Sequence, residues 1–462
     1  MRVRRSLPWL SLIALGLAVA PVRSAADEED DAAEVRYRVR TDAALERMTV
    51  EVCFAGPPPR SLGPGIDRAG PALLDARKGA QALTVRRGRI DTSGLSDGDC
   101  LTYRVDLDQA RRASRFSNRQ GVDFVGSQGA WLWRSRRRPP DHATIRFDLP
   151  DGLRVAAPWP REGDGYRLNR SAFRRPAFVA FGRFEPIRVS SHGVDAELVR
   201  LGDGWDFTAE DTTAWLRTAI EGVSTVQGRF PVSNLLIVFA PGDGSGVGFG
   251  MVRRGGGCSV GFIVGRHSSA DALRESWVTW HELSHLQLPP MVQEDAWLYE
   301  GLATYYQEVL QARMGVQSPE QAWAALRDGF RRGARGRERD ALAVEAENMH
   351  RTYAYQRVYW AGTAFALEAD VALRQRGSSL DEALRRGART WRGGPGVWRS
   401  ERLTALLDRS FDAPVLGPLR DTYARRVAFP PTAALLERLG VGRGGRLRAA
   451  PLESVRDASM SR

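Results

Sequence analysis

Short runs in which apolar and polar positions alternate fill the chain from Val35 to Leu201 and predict β-strands. Val35–Val39, Met48–Phe54, Leu101–Leu107, Ala143–Leu149 and Phe178–Phe184 are the clearest, with Gly and Pro punctuating the gaps. An antiparallel β domain of the sandwich kind is expected over residues 35–201. The pattern changes after Asp206. Thr213–Gln227 has helical spacing, Asn234–Ala240 reads as a buried strand, and long helical patterns run from Ser268 onward. Between them lies Gly242–Gly257, dense in glycine. It lacks both the Gly-Lys-Ser/Thr ending of a phosphate loop and the dinucleotide spacing, so it reads as a flexible loop or the edge of a cleft. The chain is thus α+β: a β-rich part over 35–201, a mainly helical part over 206–430, and an Arg/Gly-rich tail over 431–462 expected to be peripheral.

The amino terminus adds a destination. Arg2, Arg4 and Arg5 precede an apolar stretch from Leu7 to Ala20, and small residues follow through Ala26. This is the layout of a secretory signal peptide, assigned to residues 1–26, and the apolar run is short for a membrane span. Export to the periplasm or the exterior is expected, with no membrane span after cleavage. An oxidising compartment permits a disulfide. Cys53 and Cys100 both fall in or beside strand-like stretches and can pair, leaving Cys258 over; three buried reduced thiols is the other reading.

Composition narrows the function classes. With 43% hydrophobic and 26% charged residues the chain is a core-forming protein, which excludes wholesale disorder. The formal charge is +12, but Lys78 is the only lysine and arginine is spread along the whole chain. That dispersion argues against a dedicated nucleic-acid surface, and no nucleic-acid partner is expected.

The chemistry concentrates in His281-Glu282-Leu283-Ser284-His285. Ser268 and Asp271 suggest a capping box, so a helix should begin near Ser269; Pro289-Pro290 should end it by Leu288. On a helix, His281 and His285 share one face and can bind one zinc ion, while Glu282 is turned away and can serve as base toward a water. A second helix, capped by Asp295, should carry Glu300 back toward them as third ligand. Two His and one Glu with an open fourth position is a catalytic rather than a structural zinc set.

His281-Glu282-Leu283-Ser284-His285 followed by Trp297-Leu298-Tyr299-Glu300-Gly301-Leu302-Ala303 resembles the gluzincin metallopeptidases, above all their glycyl-aminopeptidase and aminopeptidase-N branches. The resemblance implies a thermolysin-like catalytic domain behind the β domain, Zn²⁺ held by His281, His285 and Glu300, and Glu282 as catalytic base. It also implies that Tyr359, in Tyr359-Trp360-Ala361-Gly362, steadies the oxyanion; the same helix runs on to Asp370 and Arg374. The implied function is an exported zinc peptidase acting on a peptide or protein substrate, exo- or endopeptidase left open. The alternatives are a catalytically silent zinc- or peptide-binding envelope protein and a basic envelope protein with structural zinc. Three departures stand out. Only fourteen residues separate His285 from Glu300, Ala361 replaces a lysine, and Gly248–Arg253 lacks the carboxylate that holds a substrate's free amino group in aminopeptidases.

Overall fold

Alternation along Arg47–Ala55 turns Met48, Val50, Val52 and Phe54 to one side, where all four are buried. That strand pairs antiparallel with Glu34–Thr41 on one side and Cys100–Asp106 on the other, within an eight-stranded sheet. The computed structural model describes residues 34–114, 116–137, 139–336, 339–391 and 396–461. The signal-peptide assignment therefore lies outside the described residues. The expected antiparallel pairing over 35–201 has two exceptions, Glu34–Thr41 running parallel to His142–Asp148 and Val194–Arg200 running parallel to Asn234–Gly242. Cys53 and Cys100 face each other across the ladder and form a disulfide, while Cys258 is free and buried. Trp131, Trp133, Tyr103 and Phe181 fill the core of this region.

A five-stranded sheet follows, ordered Ile187–Ser191, Val194–Arg200, Asn234–Gly242, Cys258–Gly265 and, at the edge, Val247–Arg253. The glycine-dense stretch is therefore not simply loop. Its middle is an edge strand, antiparallel to Cys258–Gly265 and irregular between Val247 and Phe249. Helix α1 (Ala209–Gln227) packs on this sheet, its start fixed by a Thr208–Asp211 capping box worth about 1 kcal/mol. Phe116, Val125, Phe178, Val199, Leu236 and Val238 form a small core where strands of the two regions meet.

The helical part supplies α2 (Trp277–Ser284), α3 (Ala296–Arg313) and α4 (Tyr355–Arg374). Helices α3 and α4 cross at two glycines. A Cβ on Gly362 would lie 1.7 Å from the Trp297 carbonyl oxygen, and one on Gly301 2.3 Å from Gly362 Cα. Only glycine permits that approach. Tyr305 of α3 donates to the Asp370 carboxylate of α4, which also accepts from Arg374 and from the Leu380 amide.

The carboxyl-terminal tail, expected to be peripheral, packs against α3. Met460 is buried, and the Arg313 guanidinium donates to the Ser459 carbonyl. Among the described residues no helix is long and apolar enough to cross a membrane.

Candidate metal centre

The helix expected from Ser269 to Leu288 is broken. Ala270–Arg274 forms one short helix and α2 begins anew at Trp277, with Ser276 extended between them. The cause is local. The Ser276 hydroxyl donates to the Val247 carbonyl (2.9 Å) and accepts from the Val247 amide (3.1 Å), tying the turn to the edge strand instead of continuing the helix. The cap of the first piece is Ser269, whose side chain accepts from the Ala272 amide; Ser268 bonds to the Gly265 carbonyl and Gly246 amide instead. A 3₁₀ turn over His285–Gln287 follows α2, and Leu288 is extended ahead of Pro289.

Asp295 also departs from its expected capping role. Its carboxylate accepts from the Ser400 amide and hydroxyl, a tertiary tie that fixes the entrance to α3.

These two frames bring the predicted residues together. The Nε2 atoms of His281 and His285 lie 3.2 and 3.4 Å from one carboxylate oxygen of Glu300, Oε2. Glu282 shares the cluster, since its carboxylate and the two imidazoles offer ligand atoms all within 4.8 Å of one another. Between the two carboxylates, Glu300 is the better ligand because its single oxygen bridges both imidazole nitrogens. Burial alone would raise the pKa of Glu300, but the charge of His285 and hydrogen bonds from both imidazoles hold it well below the usual carboxylate range. Glu282 is shifted the other way by burial.

Two imidazole nitrogens and a carboxylate oxygen converging on one point are the donors a Zn²⁺ ion takes. The residues present therefore fit the metal that the motif implies. Outer contacts hold the ligands in place. The Thr304 hydroxyl lies 3.5 Å from His281 Nδ1, and Gln307, one turn further along α3, lies near the same ring and donates to Glu308. His285 Nδ1 is buried without a hydrogen-bond partner, and its ring is held by stacking on Tyr299, centroids 4.3 Å apart and planes at 18°. Tyr359 lies parallel to His281 at 5.8 Å, with Glu300 as its neighbour. Burial and the neighbouring Glu300 push the Tyr359 phenol far above its ordinary pKa, so it is a donor.

The edge strand runs along α2. Its start is bonded to Ser276, a Cβ on Gly250 would meet Glu282 Cγ at 2.3 Å, and Arg254 just past its end donates to the His285 carbonyl at 2.5 Å. Beside His281 opens a cavity of about 600 Å³ lined by Trp277, Thr304, Gln307, Tyr355 and Tyr359. His267 and His350 stay outside the cluster: His267 is exposed beside Asp206, and His350 bonds to Tyr355. The sequence reading missed Tyr299, Gln307 and Arg254. Gln307 could have been found as the residue seven after Glu300, on the same helical face; Arg254 carried no local signal.

Known proteins resemble the chain in part of its sequence and in its fold. Residues 281–366 match the M61 glycyl aminopeptidase family. The matched stretch contains His281, Glu282, His285, Glu300 and Tyr359. An aminopeptidase N family protein from Idiomarina loihiensis superposes with a TM-score of 0.68 at 15% identity, covering 88% of this chain and 78% of that one. A mutant M1 zinc metallopeptidase from Deinococcus radiodurans, solved with Tyr-Ser-Ala bound, gives 0.53 at 15% identity, covering 86% of this chain and 94% of its own. A two-domain M1 zinc metallopeptidase mutant solved with L-tryptophan gives 0.53 at 14% identity, covering 87% and 96%. These likenesses concern the fold: strands first, helices after. No curated protein matches the chain.

Proposed function

We propose that this gluzincin-type chain is an exported zinc peptidase that hydrolyses peptide bonds in the periplasm or outside the cell. The observation that carries the reading is the convergence of His281, His285 and Glu300 beside Glu282 and Tyr359. Zn²⁺, held by His281, His285 and Glu300, would supply Lewis acidity toward a carbonyl and lower the pKa of water. An extended peptide adds to the exposed edge strand Val247–Arg253, whose passage over Glu282 sets a peptide bond beside that carboxylate. Glu282 takes the proton of the attacking water and passes it to the departing amine. Tyr359 donates a hydrogen bond to the carbonyl oxygen as it gains charge. The cavity at Trp277 and Tyr355 receives a neighbouring side chain of the substrate. Glu282 and Tyr359 standing intact beside the ligand set count against a silent zinc- or peptide-binding protein. Export rests on the signal-peptide pattern of residues 1–26.

Glu282→Gln tests the reading. The substitution should retain bound zinc while peptide hydrolysis falls at least about 10³-fold, the loss of a general base compounded with that of the nucleophile it activates. Wild-type turnover in the variant would refute the assignment.

A further inference from the structure

A second cavity, of about 420 Å³, opens where the β-rich region, the end of the edge strand and the exit of α2 meet. Three arginines from different parts of the chain line it: Arg175 at the end of the short helix Arg170–Arg174, Arg229 after α1, and Arg254 past the edge strand. Asn169 and Ser171 add neutral polar groups, and none of its described lining residues is acidic. Burial and the nearby Arg254 push the Arg175 guanidinium below its ordinary pKa. An anion that enters a partly desolvated recess of clustered like charges is stabilised by them. Arg254 uses one nitrogen on the His285 carbonyl, and its buried Nε has no hydrogen-bond partner among the described residues.

The recess lies next to the chain segment that carries the reaction centre. Leu286, next to His285, forms part of its wall. The edge strand passes Glu282 at Gly250 and delivers Arg254 to the recess four residues later, about 13 Å along an extended chain. Arg253, between them, acts electrostatically on Glu282. A peptide lying along that strand and continuing past its end would extend from the catalytic glutamate toward Arg254.

We infer that this recess is an anion subsite of the peptide cleft, taking the carboxylate of an acidic residue that lies a few positions from the bond to be cut. The inference rests on the peptidase reading and deepens it. Guanidinium groups pair with carboxylates through two parallel hydrogen bonds, so the site selects Asp or Glu and disfavours Lys or Arg. It also gives this end of the cleft the opposite charge from one built to hold a free amino group.

The test measures binding, so it does not depend on turnover. Zinc-loaded Glu282→Gln protein is titrated with hexapeptides that differ at one position, Glu, Gln or Lys, with that position moved along the peptide. At one position Glu should bind roughly tenfold or more tighter than Gln, and Lys more weakly still. The preference should vanish when Arg175→Gln and Arg229→Gln are combined, and persist when both are changed to Lys, which keeps the charge and controls for misfolding. Equal affinities at every position would overturn the inference, as would a preference that survives the double Gln change. Inorganic phosphate, titrated alone, separates the remaining source: phosphate binding that the double Gln change removes, with no peptide preference, would make this a free-anion site and also overturn it. Failure of the peptidase reading shows separately, as wild-type protein that binds these peptides and cuts none.

Discussion

Tyr359 lies parallel to His281 and beside Glu300, so its phenol is positioned by the same side chains that would hold the metal. Removing only that hydroxyl separates positioning from chemistry. Tyr359→Phe should lower kcat about 10²–10³-fold while KM changes little, which steady-state kinetics on a peptide substrate would check. A change confined to KM would assign the tyrosine to binding instead. The four-residue spacing of His281 and His285 was legible because helix geometry alone puts them on one face. Glu300 was legible through its companion residues in Trp297–Ala303 rather than through spacing. Tyr299 and Arg254 were not: one acts by stacking across two elements and the other by reaching a carbonyl from a neighbouring strand, contacts that no local pattern encodes.

Between elements, the decisive contact is the glycine crossing of α3 and α4, which sets Glu300 and Tyr359 within reach of each other. Gly362→Ala would drive a methyl group into the Trp297 carbonyl at 1.7 Å. Denaturant unfolding should show a loss of about 3 kcal/mol or more, since neither backbone can yield cheaply. Stability within about 0.5 kcal/mol of wild type would mean that the helices do not approach this closely. Helical segments were well read from periodicity, yet the break at Ser276 was not, because its cause is a pair of hydrogen bonds to Val247. The edge strand was hidden for a related reason. Its glycines lower local β-propensity, and pairing with Cys258–Gly265 overrides that preference. The same glycines let the strand pass over Glu282, so the feature that obscured the strand belongs to the site.

Over the whole molecule, the order of strands then helices was visible in the change of hydrophobic period near residue 206. The topology was not, since the parallel pairing of Glu34–Thr41 with His142–Asp148 joins segments 108 positions apart in register. The pairing of Cys53 with Cys100 likewise needed the ladder that places them opposite each other. This bond closes a loop of 47 residues. Replacing both cysteines with Ser should cost about 2–4 kcal/mol in urea unfolding and leave kcat of the folded protein unchanged. An unaltered midpoint would show that the cross-link contributes nothing to stability.

The most direct measurement of the central claim is peptide cleavage before and after metal removal, followed by titration with zinc. Chelation should abolish cleavage, and one equivalent of Zn²⁺ per chain should restore it. Cleavage that persists in metal-free protein, or a zinc-loaded protein that cuts no peptide, would contradict it.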